Sequence, residues 1–434
     1  MKLVAKSRTK ENLVVRGARV LDPVEGIDRT LDVRVDCGVI AQLGEGLDTN
    51  EHHVVDGTGL VLAPAFVDPH VHLRTPGRED EETIASGTAA AAAGGYCAIL
   101  AMPNTDPVVD SAAVLESLVE RARAEAEIPV GFLAAISKGQ EGGELTEMGE
   151  LADRGAVAFT DDGRPVSSAG LMRRALQYSV VTGRKLALHC EEPTLSRSGQ
   201  VHEGAVAAEL GFAGYPSVAE SLMVGRDLAL AAYEERPLHL LHLSARESVD
   251  ALRAAQLAGL AVTAEATPHH LCLTDEAVRS LDPNLKMNPP LRSAQDRTAL
   301  VEALRDGTIG CIATDHAPHA RHEKDVPFEE APFGVTGLET AFAALYTHLV
   351  RPGLIPLETL LQRLSHGPAQ TYGLAPPRVA VGAPANLVLL DLRASWRVDE
   401  AGFRSRSVNS WLLGETLTGR VRLTVAGGRV AFAA

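Results

Sequence analysis

Two histidines two positions apart, in Asp68-Pro-His70-Val-His72-Leu-Arg74, carry the first spacing in this 434-residue chain that suits a metal ion. On an extended strand, residues i and i+2 project to one face, as two imidazoles on one ion require. Alone, such a pair is a weak signal. Further on come Phe159-Thr-Asp161-Asp162-Gly163, His189, His242 and Asp315, each closing an apolar run. Imidazole and carboxylate donors without thiolate suit Zn²⁺, Mn²⁺, Co²⁺ or Fe²⁺, and histidine-rich sets favour zinc. His70, His72, one of the Asp161–Asp162 pair, His189, His242 and Asp315 exceed the needs of one tetrahedral ion. Two adjacent ions with a bridging group are therefore expected, a single ion being the alternative. A bridged pair acidifies water toward hydroxide near neutral pH and polarises a carbonyl. Asp315 could both ligate and pass the water's proton to a leaving nitrogen. That chemistry is amide hydrolysis, or its reverse, without a covalent enzyme intermediate.

Such residues must be held at one end of a rigid frame. The middle of the chain alternates short apolar runs with Ala/Leu-rich amphipathic stretches, predicting strands at 61–68, 95–102, 129–136, 155–160, 185–189, 237–243, 260–265 and 309–314. Eight strands with helical or mixed connections fit a (β/α)8 TIM barrel. A doubly wound sheet is the alternative, but no G-x-G-x-x-G follows an early strand and no Walker motif occurs. In a barrel, functional side chains sit just past strand C-termini, where these histidines and aspartates fall. Both ends of the chain differ from the middle. Leu13-Val-Val-Arg-Gly-Ala-Arg-Val20, Leu31-Asp-Val-Arg-Val35 and Val54-Val-Asp-Gly near the start, and Asn386-Leu-Val-Leu-Leu-Asp391 and Val421-Arg-Leu-Thr-Val425 near the finish, read as short antiparallel strands joined by turns. Residues 1–62 and 375–434 are expected to form one small discontinuous β-sandwich domain, and 63–374 the barrel.

Composition narrows the partners. Forty-one Lys+Arg against 56 Asp+Glu leave a formal charge of −15, which disfavours nucleic acid and anionic membrane surfaces. The N-terminus lacks the continuous apolar stretch of a signal peptide. The charge-free window Thr83–Thr105 holds Gly87, Gly94, Gly95 and Pro103, and reads as a buried helix followed by a buried strand rather than a membrane span. Five scattered cysteines (37, 97, 190, 272, 311), none in a C-x-x-C pair, fit reduced thiols and a cytoplasmic protein, with Cys190 a buried filler.

Together the motifs resemble the amidohydrolase superfamily, and most closely the class I dihydroorotases, over nearly the whole chain. The resemblance rests on Asp68-Pro-His-Val-His-Leu-Arg74, Met102-Pro-Asn-Thr105, Phe159-Thr-Asp-Asp-Gly163, His189-Cys-Glu191 and His242-Leu-Ser244. It extends through Thr267-Pro-His-His270, Lys286-Met-Asn-Pro-Pro-Leu-Arg292, Ala313-Thr-Asp-His-Ala-Pro-His319, Ala331-Pro-Phe-Gly334 and Gly337-Leu-Glu-Thr340. It implies reversible cyclisation of N-carbamoyl-L-aspartate to (S)-dihydroorotate in pyrimidine synthesis. By matching positions, His70 and His72 would bind one zinc and His189 and His242 the other, with Asp162 bridging and Asp315 as ligand and acid/base. Arg74, Asn104 and His319 would hold the substrate carboxylate, Asn288 with the backbone at Phe333 and Gly334 would contact the ring, and His72 would also touch the substrate. A homo-oligomer and an aspartate transcarbamoylase partner are further implications. Thr75 departs from the Glu or Asp that many relatives carry after the arginine.

Many superfamily relatives bridge their metals with a carboxylated lysine. This chain has seven lysines and none between Lys138 and Lys185, so the fourth strand cannot supply one. Asp162 must stand in, which favours dihydroorotases over hydantoinases, dihydropyrimidinases and allantoinases. Among other candidates, His269-His270 read as a hydrogen-bonded pair, His316 as facing away from Asp315, and His52, His53, His202 and His239 as structural or solvated. The charged segment 320–331 is either a solvated insertion or a mobile loop over the pocket.

Overall fold

The computed structural model describes residues 3–434, so Met1 and Lys2 of the expected terminal region lie outside the described residues. Parallel strands Phe66–Val71, Tyr96–Ala101 and Val130–Phe132 form one sheet, and Leu186–Leu188, Leu238–Leu240, Val262–Ala266 and Cys311–Ile312 another. Two narrow seams join them. Phe159 bridges Ala134 on one side and Leu186 on the other, and Val71 bridges His316, with the His72 N–H donating to the His316 carbonyl at 2.8 Å. The result is a closed eight-position barrel. Its fourth strand, expected over 155–160, is reduced to the residues around Phe159. Asp161 beyond it accepts from the Ile136 and Ser137 backbone N–H groups (2.8 and 3.1 Å), so the chain bends away early.

Val61–Pro64 departs from expectation. It belongs not to the barrel but to the sheet built from the two ends, and the first barrel strand starts at Phe66. That eight-stranded sheet runs Arg429–Ala433, Thr416–Ala426, Leu387–Arg397, Val61–Pro64, Leu13–Asp22, Ile27–Asp36, Val39–Gly44, with His53–Asp56 also paired to Leu13–Asp22. His53–Asp56 and Val61–Pro64 lie parallel to Leu13–Asp22, not antiparallel, because each follows a connection too long for a hairpin. Alternation decides which face meets what. Leu387, Leu389, Leu423 and Val425 fill the sheet's own core with Leu13, Val15, Val33 and Ile40, while Val388, Leu390 and Val421 face the barrel. The two edges of the sheet meet where a Cβ on Gly38 would stand 2.9 Å from the Gly428 Cα; both residues have positive φ (77° and 80°), so only glycine fits.

The Thr83–Thr105 window holds the expected pair, the buried helix Ile84–Ala93 and the strand Tyr96–Ala101. Thr83 caps the helix by accepting from the Ser86 N–H, and alanine side chains let it lie close on the barrel. All five cysteines are free, with Cys190 buried. Among the described residues, no helix is long and apolar enough to cross a membrane.

Candidate active site

Each candidate ligand, with Arg74 and Asn104, leaves the C-terminal end of a barrel strand. His70 lies at the end of the first, with His72 and Arg74 just beyond; Asn104 follows the second, Asp162 the fourth position, His189 the fifth, His242 the sixth and Asp315 the eighth. Three of them, Arg74 (φ 55°), His242 (φ 27°) and Asp315 (φ 48°), sit in the left-handed region that non-glycine residues avoid. Strain of this kind, about 1–3 kcal/mol each, persists where the surroundings dictate side-chain direction.

The side chains converge in two groups around one carboxylate. Asp162 Oδ2 lies 3.5 Å from His70 Nε2 and 3.6 Å from His72 Nε2, while Asp315 Oδ1 lies 3.4 and 3.0 Å from the same nitrogens. The other Asp162 oxygen, Oδ1, lies 3.4 Å from His242 Nε2 and 3.8 Å from His189 Nδ1. Asp161, in contrast, is consumed by the backbone at Ile136 and Ser137, which separates two aspartates that spacing could not.

Outer partners fix the tautomers of three of the four histidines. Acceptors take a proton from the far nitrogen of three rings: Glu265 Oε1 from His70 Nδ1 (2.7 Å), Asn104 Oδ1 from His72 Nδ1 (2.8 Å) and Glu191 Oε2 from His189 Nε2 (2.9 Å). Their inner nitrogens therefore present lone pairs. His70 Nε2 and Asp162 Oδ1 are buried with no hydrogen-bond partner, and His189 Nδ1 lies only 2.9 Å from His242 Nε2. Buried lone pairs facing one another need a cation between them, so these residues fit a pair of divalent ions. The electrostatics agree. Burial pushes Asp162 up and His70 down, yet Asp162 and Asp315 raise His70 well above the imidazole range, so a proton there takes the place a cation would hold, and that positive charge keeps Asp162 well below the carboxylate range.

A cavity of about 370 Å³ opens above these side chains, lined by His72, Arg74, Asn104, Asn288, His319, Phe333 and Gly334 among others. A larger cleft of about 670 Å³ around Phe342 and Trp396 contains none of these residues; size does not mark this site. Arg74 Nε donates to the Pro318 carbonyl (3.0 Å) and lies 3.0 Å from Glu81, while its Nη2 stands 3.4 Å from His319 Nε2 at the cavity. With Asn104 Oδ1 held by His72, Asn104 Nδ2 is free to donate. His319 Nε2 donates to the Phe333 carbonyl at 2.8 Å, so that N–H is already engaged. Burial lowers the His319 pKa to about 2 and keeps the ring neutral.

Sequence reasoning missed four carboxylates. Glu265 accepts from both His70 and His239, Asp68 ties the His70 N–H to Thr314 at the barrel seam, Glu191 braces His189, and Glu81 faces Arg74. An acidic residue inside the apolar run Val262-Thr-Ala-Glu265-Ala was the available signal for the first. His316 does face away, with Nε2 3.1 Å from Glu82. His270 bonds Thr267 and the Pro289 carbonyl, but His269 Nε2 has no partner, so the expected bonded pair is half formed. Lys138 is exposed against Glu144 and cannot bridge a buried site. Segment 320–331 is solvated along much of its length but anchored at three points. Phe328, Ala331 and Lys324 are buried, and Lys324 Nζ donates to the Pro283 and Pro332 carbonyls.

A family model described as "Dihydro-orotase-like" matches residues 59–248. A dihydroorotase of Geobacter metallireducens is 43% identical over 97% of this chain and 99% of its own. One from Anaeromyxobacter dehalogenans is 47% identical over 96% and 97%. Among solved structures, an L-hydantoinase (dihydropyrimidinase) from Arthrobacter aurescens superposes with a TM-score of 0.86 at 25% identity, covering 97% of this chain and 96% of that one. A dihydropyrimidinase from Brevibacillus agri gives 0.83 at 22%, over 98% and 95%. Near-complete sequence kinship on this shared barrel has one consequence: the chain belongs to the dihydroorotases of the amidohydrolase superfamily.

Proposed function

We infer that this chain interconverts N-carbamoyl-L-aspartate and (S)-dihydroorotate as a metal-dependent cyclic amide hydrolase of pyrimidine synthesis. The observation that carries the reading is the joining of two features in one cavity, a carboxylate shared between two imidazole pairs and a carboxylate clamp beside it. His70, His72 and Asp315 would hold one zinc, His189 and His242 the other, with Asp162 between. When bound, such ions supply an acidified water as nucleophile and polarise the scissile carbonyl.

The protein's own groups do the rest. Arg74, through its terminal nitrogens, and Asn104, through Nδ2, hold the substrate carboxylate. His319 joins them once its N–H leaves Phe333. The backbone at Phe333 and Gly334 meets the ring, as does Asn288. Burial opposes the charge of Asp315, but the positive charge gathered beside it at His70 and His72 outweighs that effect and keeps it ionised. It accepts the proton of the attacking water and delivers it to the ring nitrogen as the amide C–N bond breaks; cyclisation runs the same transfers backward. Scattered, unpaired cysteines support a cytosolic setting.

Zinc-reconstituted protein should therefore convert carbamoyl-aspartate and dihydroorotate in both directions. Hydantoin and dihydrouracil, which lack the carboxylate, should react far more slowly. Good turnover of those rings with none of dihydroorotate would overturn the assignment.

A further inference from the structure

Glu191 follows a metal-binding histidine by two positions, and three donors converge on its carboxylate. His189 Nε2 (2.9 Å) and Asn288 Nδ2 (3.1 Å) both reach Oε2, and Ser196 Oγ reaches Oε1 (2.5 Å). An ionised carboxylate only accepts, so it dictates the sense of both partners. His189 must carry its proton on Nε2, which turns the Nδ1 lone pair toward Asp162. Asn288 must offer its amide nitrogen, which sends Oδ1 the other way. Asn288 lines the cavity, and its Oδ1 is buried with no hydrogen-bond partner.

We propose that Glu191 is a positioning and specificity-determining residue, coupling His189 to Asn288 and fixing Asn288 Oδ1 as an acceptor that selects rings with an unsubstituted N–H. The proposal rests on the reading above that Asn288 meets the substrate ring. One carboxylate thus orients a metal-binding imidazole and the group that reads the ring. A ring bearing oxygen or an alkylated nitrogen at that place leaves Oδ1 unpaired, and burying an unpaired acceptor is costly.

The test compares wild type, Glu191→Gln, Asn288→Asp and the double variant, all supplied with zinc. In Glu191→Gln the fixed sense of Asn288 is lost. In Asn288→Asp two carboxylates oppose each other. In the double variant the two like charges no longer oppose each other and a glutamine amide nitrogen can donate to the aspartate, at the cost of the His189 hydrogen bond to that same atom. Each single change should lower kcat/KM for dihydroorotate by roughly 10–100-fold, mostly through KM. Zinc affinity, read by competition with a chromophoric chelator, should fall about tenfold in Glu191→Gln. The double variant should recover at least about tenfold over Asn288→Asp. Single variants within twofold of wild type, or losses that simply multiply in the double, would overturn the coupling. Should Glu191→Gln fold poorly, Asn288→Asp against Asn288→Ala still decides: repulsion by Glu191 should make the aspartate the slower, and an equal or faster rate refutes it. Wild type inactive on dihydroorotate would instead refute the functional reading, while the zinc-affinity comparison would still test Glu191 on its own.

Discussion

His70 is the most constrained residue of the site, fully buried, with one nitrogen held by Glu265 and the other aimed at Asp162 and Asp315. His70→Ala should lose bound zinc and turnover together; metal analysis of the purified variant checks this, and retained zinc with full activity would contradict ligation. Asp315→Asn keeps the shape but cannot accept a proton. Its kcat should fall by about 10²–10⁴ with an unchanged circular dichroism spectrum, and a near-normal rate would remove Asp315 as the acid/base. The candidate positions were legible because imidazoles and carboxylates at the ends of apolar runs stand out. Glu265, Asp68 and Glu191 were not. A buried carboxylate that braces another side chain looks, in one dimension, like any acidic residue, and its partner is up to 246 positions away, as Asp68 is from Thr314.

At the scale of elements, the barrel was legible from its buried runs, and its edges were not. Val61–Pro64 and Phe66–Val71 form one apolar stretch in sequence, and only Ala65 marks the crossing from one sheet to another. The fourth strand shrank because Asp161 turns the chain onto Ile136 and Ser137. Segment 320–334 shows what holds a cavity wall. Lys286 Nζ donates to the Phe328 and Glu329 carbonyls at 2.9 Å each, and the Gly334 N–H donates to the Lys286 carbonyl. Lys286→Met strands both backbone carbonyls. It should cost about 1–3 kcal/mol of stability in chemical denaturation. KM should rise as well, as Phe333 and Gly334 lose their seat; an unchanged KM would mean the wall stands without the lysine.

Across the whole molecule, buried carboxyls set the pH dependence of stability. Burial raises Asp68 to about 7, Asp161 to about 6, Asp227 to about 6, Glu81 to about 8 and Glu339 to about 7. A raised folded-state pKa contributes stability that is full below the unfolded value and lost as pH climbs through the folded one. Glu191 and Glu265 run the other way. Burial pushes both up, but the hydrogen bonds from His189 and His239 bring each down to about 2, so their contribution is present above the unfolded value and lost as pH falls. Thermal unfolding of the metal-free protein should therefore peak on the acid side of neutrality, near about pH 5, and decline toward pH 8, aided by the −15 charge. A midpoint still rising at pH 8 would contradict it.

The most direct measurement is a crystal structure of the zinc-loaded protein with dihydroorotate, phased to show anomalous scattering at the zinc edge. Two peaks are expected flanking Asp162, one among His70, His72 and Asp315 and one between His189 and His242, with the ligand carboxylate on Arg74 and Asn104. A single peak away from Asp162, or a ligand carboxylate pointing away from Arg74, would contradict a bridged metal pair with an adjoining carboxylate clamp.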